Sequence, residues 1–149
     1  MNDGRHEVVI DIAASPEQIW VALTDPQQTR LFWHGALNHS TWQPGAPWTS
    51  ESDEGELYLD GEIVEVDQPQ RMVHTMRFLQ DPEAADEPPS VVEITLDATD
   101  TGTRLRLVNT NLGPVGLENV TAAGGWEHIL DALKVLVETG RPLESAVAM

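Results

Sequence analysis

The chain contains no cysteine, which removes disulfides, thiolate nucleophiles and cysteine-ligated metals at once. Positive charge is scarce too: 8 Lys plus Arg stand against 25 Asp plus Glu, a formal net charge of -17. Such a surface repels phosphate backbones and anionic headgroups, so neither nucleic acid nor a membrane is an expected partner. No apolar run approaches the roughly 18 residues of a membrane span. The opening "MNDGRHEVV" has no basic segment leading into an apolar one, and the expected location is cytoplasmic. The five histidines, at positions 6, 34, 39, 74 and 128, include no His-x-x-x-His pair, so no metal is expected. Tyrosine and phenylalanine are rare, one and two residues, whereas there are five tryptophans.

What remains is an ordinary globular composition, 40% hydrophobic and 22% charged over 149 residues, enough for one domain and too little for two. The expected domain spans residues 1–149, with a core from about 6 to 140 and a short flexible tail over 141–149. "HEVVIDIA" alternates, with Val8, Ile10 and Ile12 on one face, as a half-buried strand does. Ser15, Pro16 and Gln18 then start a helix in the reciprocal capping pattern, and Asp25, Pro26 and Gln28 repeat that pattern for a second short helix. From Leu37 to Phe78 the pattern is β, broken at "QPGAP", "DEG" and "DQPQ". "LYLDGEIVEVD" reads as one bent strand with Gly61 at the bend. "RMVHTMRFL" places Met72, His74, Met76 and Phe78 on its inner face. "QDPEAADEPPS", with three prolines, reads as a mobile hairpin loop. Around "TDTG" a hairpin sets Val92, Ile94 and Leu96 in phase with Leu105 and Leu107.

"LGPVGLEN" reads as a loop, and "TAAGGWEHILDALKVLVETG" as one long amphipathic helix capped at Asn119 or Thr121. Trp126, Ile129, Leu130, Leu133, Leu136 and Val137 share its apolar arc, Ala122 lies on that arc and Gly125 at its edge, and the adjacent Gly124 and Gly125 each cost roughly 0.5–1 kcal/mol relative to alanine in a helix interior. Two accounts of this thin end compete: close backbone packing, or a vacancy between helix and sheet for a small molecule. In the vacancy account, leucine at 125 fills the space and leaves the helix intact.

The order β, αα, a run of about six strands and a long α is that of an α+β domain. Five segments in register, "IAASPEQIWVALTDPQQTRLFW", "WQPGAPW", "GEIVEVDQPQRMVHTM", "VVEITLDATDTGTRLRLVNTNL" and "GGWEHILDALKVLVETG", resemble the SRPBCC or START-like helix-grip superfamily. Within it they resemble proteins similar to the activator of heat-shock-protein-90 ATPase. The resemblance implies a curved antiparallel sheet of about seven strands around a long C-terminal helix, with an apolar cavity between them near that helix's N-terminal end. It favours the vacancy account.

The expected function is therefore binding of a small hydrophobic or aromatic molecule, without cofactor or metal, by a monomer or homodimer. The residues placed at the cavity are Trp33, Trp42, His74, Met76, Phe78, Ile94, Leu107, Asn109, Trp126 and Leu130. For several of them a structural role competes. His74 is either a satisfied core histidine or a polar handle in the cavity. Asn109 either caps a loop or presents its amide to the mouth. The tryptophans suit an aromatic ligand and an ordinary core equally. No catalytic group stands out: Glu62 and Glu65 lie on opposite faces of one strand, and no GxSxG motif is present. The superfamily also includes cyclases, aromatases and hydrolases, and the family name raises a co-chaperone-like activation of an ATPase through a protein surface. The eukaryotic activator carries a further N-terminal domain that has no counterpart here.

Overall fold

A computed structural model describes residues 4–142. Of the expected C-terminal tail, residues 143–149 lie outside the described residues. The elements are β1 (His6–Ile12), α1 (Pro16–Thr24), α2 (Pro26–Thr29), β2 (Leu37–Ser40), β3 (Pro47–Glu51), β4 (Leu57–Asp67), β5 (Arg71–Phe78), α3 (Pro82–Ala85), β6 (Ser90–Thr99), β7 (Gly102–Thr110), α4 (Pro114–Thr121) and α5 (Trp126–Thr139). The strands form one seven-stranded antiparallel sheet in the order β1-β7-β6-β5-β4-β3-β2. Its curve wraps α5 in a helix-grip α+β fold.

Period-two alternation sets the register. Val8 and Ile10 face Leu107 and Leu105, and Ile94 and Leu96 face the same two leucines from the other side, so one side of the sheet is continuously apolar. Leu96, Leu105, Leu107, Leu130 and Leu133 are at most 1% exposed. The other side faces water and carries cross-strand ion pairs, among them Arg77 with Asp60 and Arg104 with Asp11. Pairs this exposed add little to stability. Two contacts fasten the far end of α5 to β1: Lys134 Nζ donates to the Asp11 carbonyl (2.6 Å), and Ala13 N donates to Glu138 (2.7 Å).

The capping box of α1 is complete, Gln18 N to Ser15 Oγ (3.2 Å) and Ser15 N to Gln18 Oε1 (2.9 Å). The expected second box is not. Asp25 accepts from Gln27 N (2.9 Å), and Gln28 does not reach back, because α2 is a single turn that continues into tight bonds to residue 33.

The irregularity of strand β4 does not fall at Gly61, where a bend was expected: Leu59–Phe78, Asp60–Arg77 and Ile63–His74 keep one register with β5 across a gap at 61–62, and the register shifts between Ile63 and Glu65. In the gap the Trp48 indole donates to the Thr75 carbonyl (2.7 Å), and a side chain at Gly61 would collide with both groups.

Three expectations are corrected by the region between β5 and α5. The acidic "QDPEAADEPPS" is not merely a loop: Asp81 accepts from Glu83 N (3.1 Å) to start the one-turn helix α3, and Ala84 is buried. Its Glu87 carboxylate accepts from Val115 N (3.0 Å) and Gly116 N (2.9 Å). It thereby caps α4, whose own cap residue, Gly113, has no side chain to do so. "LGPVGLEN" is likewise not a loop, since it forms most of α4, with Pro114 in the first turn. Finally, the helix expected from Thr121 to Gly140 is not continuous, since Thr121 is the last residue of α4 and α5 begins only at Trp126. It breaks at 122–125 and restarts with Gly125 as the cap of α5. Gly125 is buried, and a Cβ there would strike the Val120 carbonyl. The glycine therefore permits a close backbone crossing between α4 and α5, the packing account, and leucine at 125 could not be accommodated there.

Candidate functional site

The break between α4 and α5 leaves a hollow. A pocket of about 530 Å³ lies between the β3–β5 end of the sheet and the start of α5. Its floor is Ser50, Leu59, Met76 and Phe78; its wall is Trp33, His34 and Ala36 on one side and Val120, Trp126 and Ile129 on the other; Tyr58 also borders it. Gln80, Asp81, Asn119, Gly124 and Gly125 complete the lining, and of these Gln80 and Gly124 are exposed at its mouth.

Four of the residues placed at the cavity on sequence grounds stand in this lining: Trp33, Met76, Phe78 and Trp126. Trp33 and Trp126 meet edge to face, centroids 5.3 Å apart. The two indoles thus form a rigid corner. Asn109 lies behind them, fully buried. It neither caps a loop nor reaches the mouth: its Oδ1 accepts from Trp126 Nε1 (2.9 Å) and its Nδ2 donates to the Val91 carbonyl (2.9 Å). It acts as a bracket that orients Trp126 from the sheet.

The other expected residues do not line the pocket. Ile94, Leu107 and Leu130 are buried in the common apolar core, each at most 3% exposed. Trp42 packs outside, its indole donating to the Thr24 carbonyl (3.1 Å). His74 is a core histidine: its ring lies against Trp48, centroids 4.6 Å apart, and Nδ1 hydrogen-bonds the Thr75 carbonyl (2.9 Å). A carbonyl only accepts, so Nδ1 carries the proton. Burial lowers the imidazole pKa to about 4, partly opposed by that hydrogen bond, so His74 is neutral at physiological pH.

Several lining residues went unrecognised in the sequence. Ser50 could have been found from its phase, two residues beyond the buried Trp48. Ile129 was on the apolar arc of α5. Asn119, Val120 and Gly124 could not have been placed without the helix break. His34 is another such case. It has φ +52°, donates from Nε2 to the Gly124 carbonyl (2.7 Å), and stacks on His128 with centroids 5.2 Å apart. His128 is half-buried, with its ring against that of His34.

Among the described residues no group of three or more His, Asp or Glu side chains is placed to hold a metal ion, and no helix is long and apolar enough to cross a membrane. Residues 13–138 match the family model described as activator of Hsp90 ATPase homolog 1-like protein. Among solved structures, protein MLL2253 of Mesorhizobium loti is 28% identical, with a TM-score of 0.73 over 89% of this chain and 96% of that one. CalU16 of Micromonospora echinospora superposes with a TM-score of 0.71 at 21% identity, over 91% of this chain and 77% of that one. DynU16, from the dynemicin biosynthetic locus, has a TM-score of 0.74 at 23% identity over 95% of this chain, which spans 49% of that one. The last two likenesses are of fold alone. No match is found among curated proteins.

Proposed function

The chain belongs to the activator of Hsp90 ATPase homolog 1-like family, and we propose that it binds a small hydrophobic or aromatic molecule in the pocket between the sheet and α5. The observation that carries this reading is the pocket itself: about 530 Å³, walled by Trp33, Trp126, Phe78, Met76 and Ile129. That volume is in the range of small-molecule sites, which are mostly apolar with a few polar groups. The indole corner offers flat, rigid surface, and the Asn109 bracket holds it before a ligand arrives, so little ordering entropy is lost on binding.

Native mass spectrometry of freshly purified protein should reveal a retained small molecule. Titration with the neutral probe N-phenyl-1-naphthylamine should quench tryptophan emission and enhance the probe's own. Ile129→Trp, which puts an indole into the hollow, should abolish probe uptake while leaving far-UV circular dichroism intact. Absence of both a retained molecule and probe uptake by the wild type sinks the reading.

The family's name supports a second reading, a co-chaperone-like protein that stimulates an ATPase through its surface. Such a protein should capture an ATPase and raise its hydrolysis rate, and Ile129→Trp should leave that effect unchanged because the residue is buried. A third reading, a cyclase- or hydrolase-type enzyme using the same pocket, requires that a retained compound be turned over.

A further inference from the structure

The core treats its buried polar side chains selectively. Thr29 Oγ1 donates to the Ala36 carbonyl (3.0 Å), Thr103 Oγ1 to the Ala14 carbonyl (2.7 Å) and Ser90 Oγ to the Met76 carbonyl (3.3 Å). His74 and Asn109 are bonded as described above. Among the described residues two buried side-chain atoms have no partner, Ser50 Oγ and Asn38 Oδ1. They are neighbours: Asn38 on β2 is directly opposite Ser50 on β3. The same row continues through Leu59 on β4 to Phe78 on β5. The pocket floor is therefore polar at one end and apolar at the other. Ser50 is 0% exposed and stands in the pocket lining. A buried hydroxyl without a partner is a net cost to folding, and proteins rarely retain one unless something else satisfies it.

The charge of the lining narrows what that something is. Among the described lining residues there is no Lys or Arg, and Asp81 is the carboxylate. A ligand carboxylate or phosphate would find no lysine or arginine to pair with and would meet a like charge at Asp81. Resting on the ligand-binding reading above, we infer that the pocket takes a neutral aromatic molecule bearing a hydroxyl or carbonyl oxygen, with that oxygen hydrogen-bonded to Ser50 Oγ. The ring then lies at the apolar end of the row, on Phe78 and against the Trp33–Trp126 corner. A serine hydroxyl both donates and accepts, so it serves either kind of oxygen.

The experiment compares 1-naphthol with 1-methylnaphthalene, of similar size and without the hydroxyl, on wild type and Ser50→Ala by tryptophan quenching. Ser50→Ala should fold at least as well as wild type, since it deletes an unpaired group. It should weaken 1-naphthol about fivefold to tenfold and change 1-methylnaphthalene by less than about twofold. The size-matched pair Ser50→Thr and Ser50→Val should show the same difference in selectivity, which keeps the test available should Ser50→Ala not fold. In wild type, 1-naphthoate should bind more weakly than 1-naphthol. If neither Ser50→Ala nor the Thr/Val pair changes selectivity, Ser50 is satisfied by a buried water only and this inference is overturned, while the binding reading stands. Tighter binding of 1-naphthoate than of 1-naphthol overturns the neutral-ligand assignment. Failure of the wild type to bind any of the three overturns the binding reading and this inference with it.

Discussion

The two halves of the gripped helix are packed in opposite ways. Toward its C-terminal end, Leu130, Leu133 and Leu136 are buried in one apolar cluster with Leu96, Leu105 and Leu107, outside the pocket lining, and Lys134 and Glu138 fasten the helix to β1. Toward its N-terminal end, Trp126 and Ile129 look across a pocket at Phe78 and Met76. The sheet is the same and the helix is the same. The difference lies in what precedes α5: a backbone crossing at Gly125 and Val120 stops α4 from continuing into α5 and holds the two apart from β4 and β5. One half is built for stability and the other leaves room, so a substitution of equal chemistry should act differently in each.

The largest effect should come from Leu133→Ala, which opens a void in the solid half and should cost about 3–4 kcal/mol in urea unfolding. Ile129→Ala, one turn away and beside existing space, should cost about 2 kcal/mol or less. Equal losses at the two sites would erase the contrast. Next is the side of the core behind the pocket floor. Between pH 6.5, the ordinary histidine value, and about 4, the unfolded chain takes up a proton that native His74 does not. The stability that neutral His74 confers is therefore complete above pH 6.5 and lost progressively as the pH falls toward about 4. His74→Leu should flatten that fall by about 3 kcal/mol, measured as the difference between the two proteins' denaturation midpoints against pH. Gly125→Ala tests the crossing that separates the halves. Its added methyl meets the Val120 carbonyl, and a loss of about 2 kcal/mol is expected, with faster amide exchange at 120–126. Smallest, Asn109→Ala should cost about 1–2 kcal/mol by stranding the Trp126 indole N–H. It should also shift tryptophan emission as Trp126 loses its bracket. Unchanged emission would show that the indole is held by packing alone.

Much of the architecture was legible because periodicity records which face is buried. The alternation in "HEVVIDIA" and in the "TDTG" hairpin, and the apolar arc from Trp126 to Val137, correspond to β1, β6–β7 and α5. The site was less legible. Trp33, Met76, Phe78 and Trp126 reach the pocket, yet Ile94, Leu107 and Leu130, of the same chemistry and phase, are sealed core. An inward phase says that a side chain leaves water; it does not say whether it meets another side chain or a hollow. The glycine pair shows the same limit. Two glycines near the start of an apolar arc fit a thin helix, and they fit equally a helix end crossed by another backbone. Only the position of Val120 distinguishes them.

The sequence by itself determined the register of the strands, the two short helices after β1, the gripping face of α5 and the scarcity of positive charge. These are local, because they depend on side-chain spacing and on the sign of charges along the chain. Tertiary structure alone decided that α4 and α5 are separate, that Glu87 caps α4 from 28 residues away, and that Ser50 ends unpaired in a pocket. Each of those depends on distances between segments remote in sequence, and spacing along a chain carries no information about the width of the gap it will enclose.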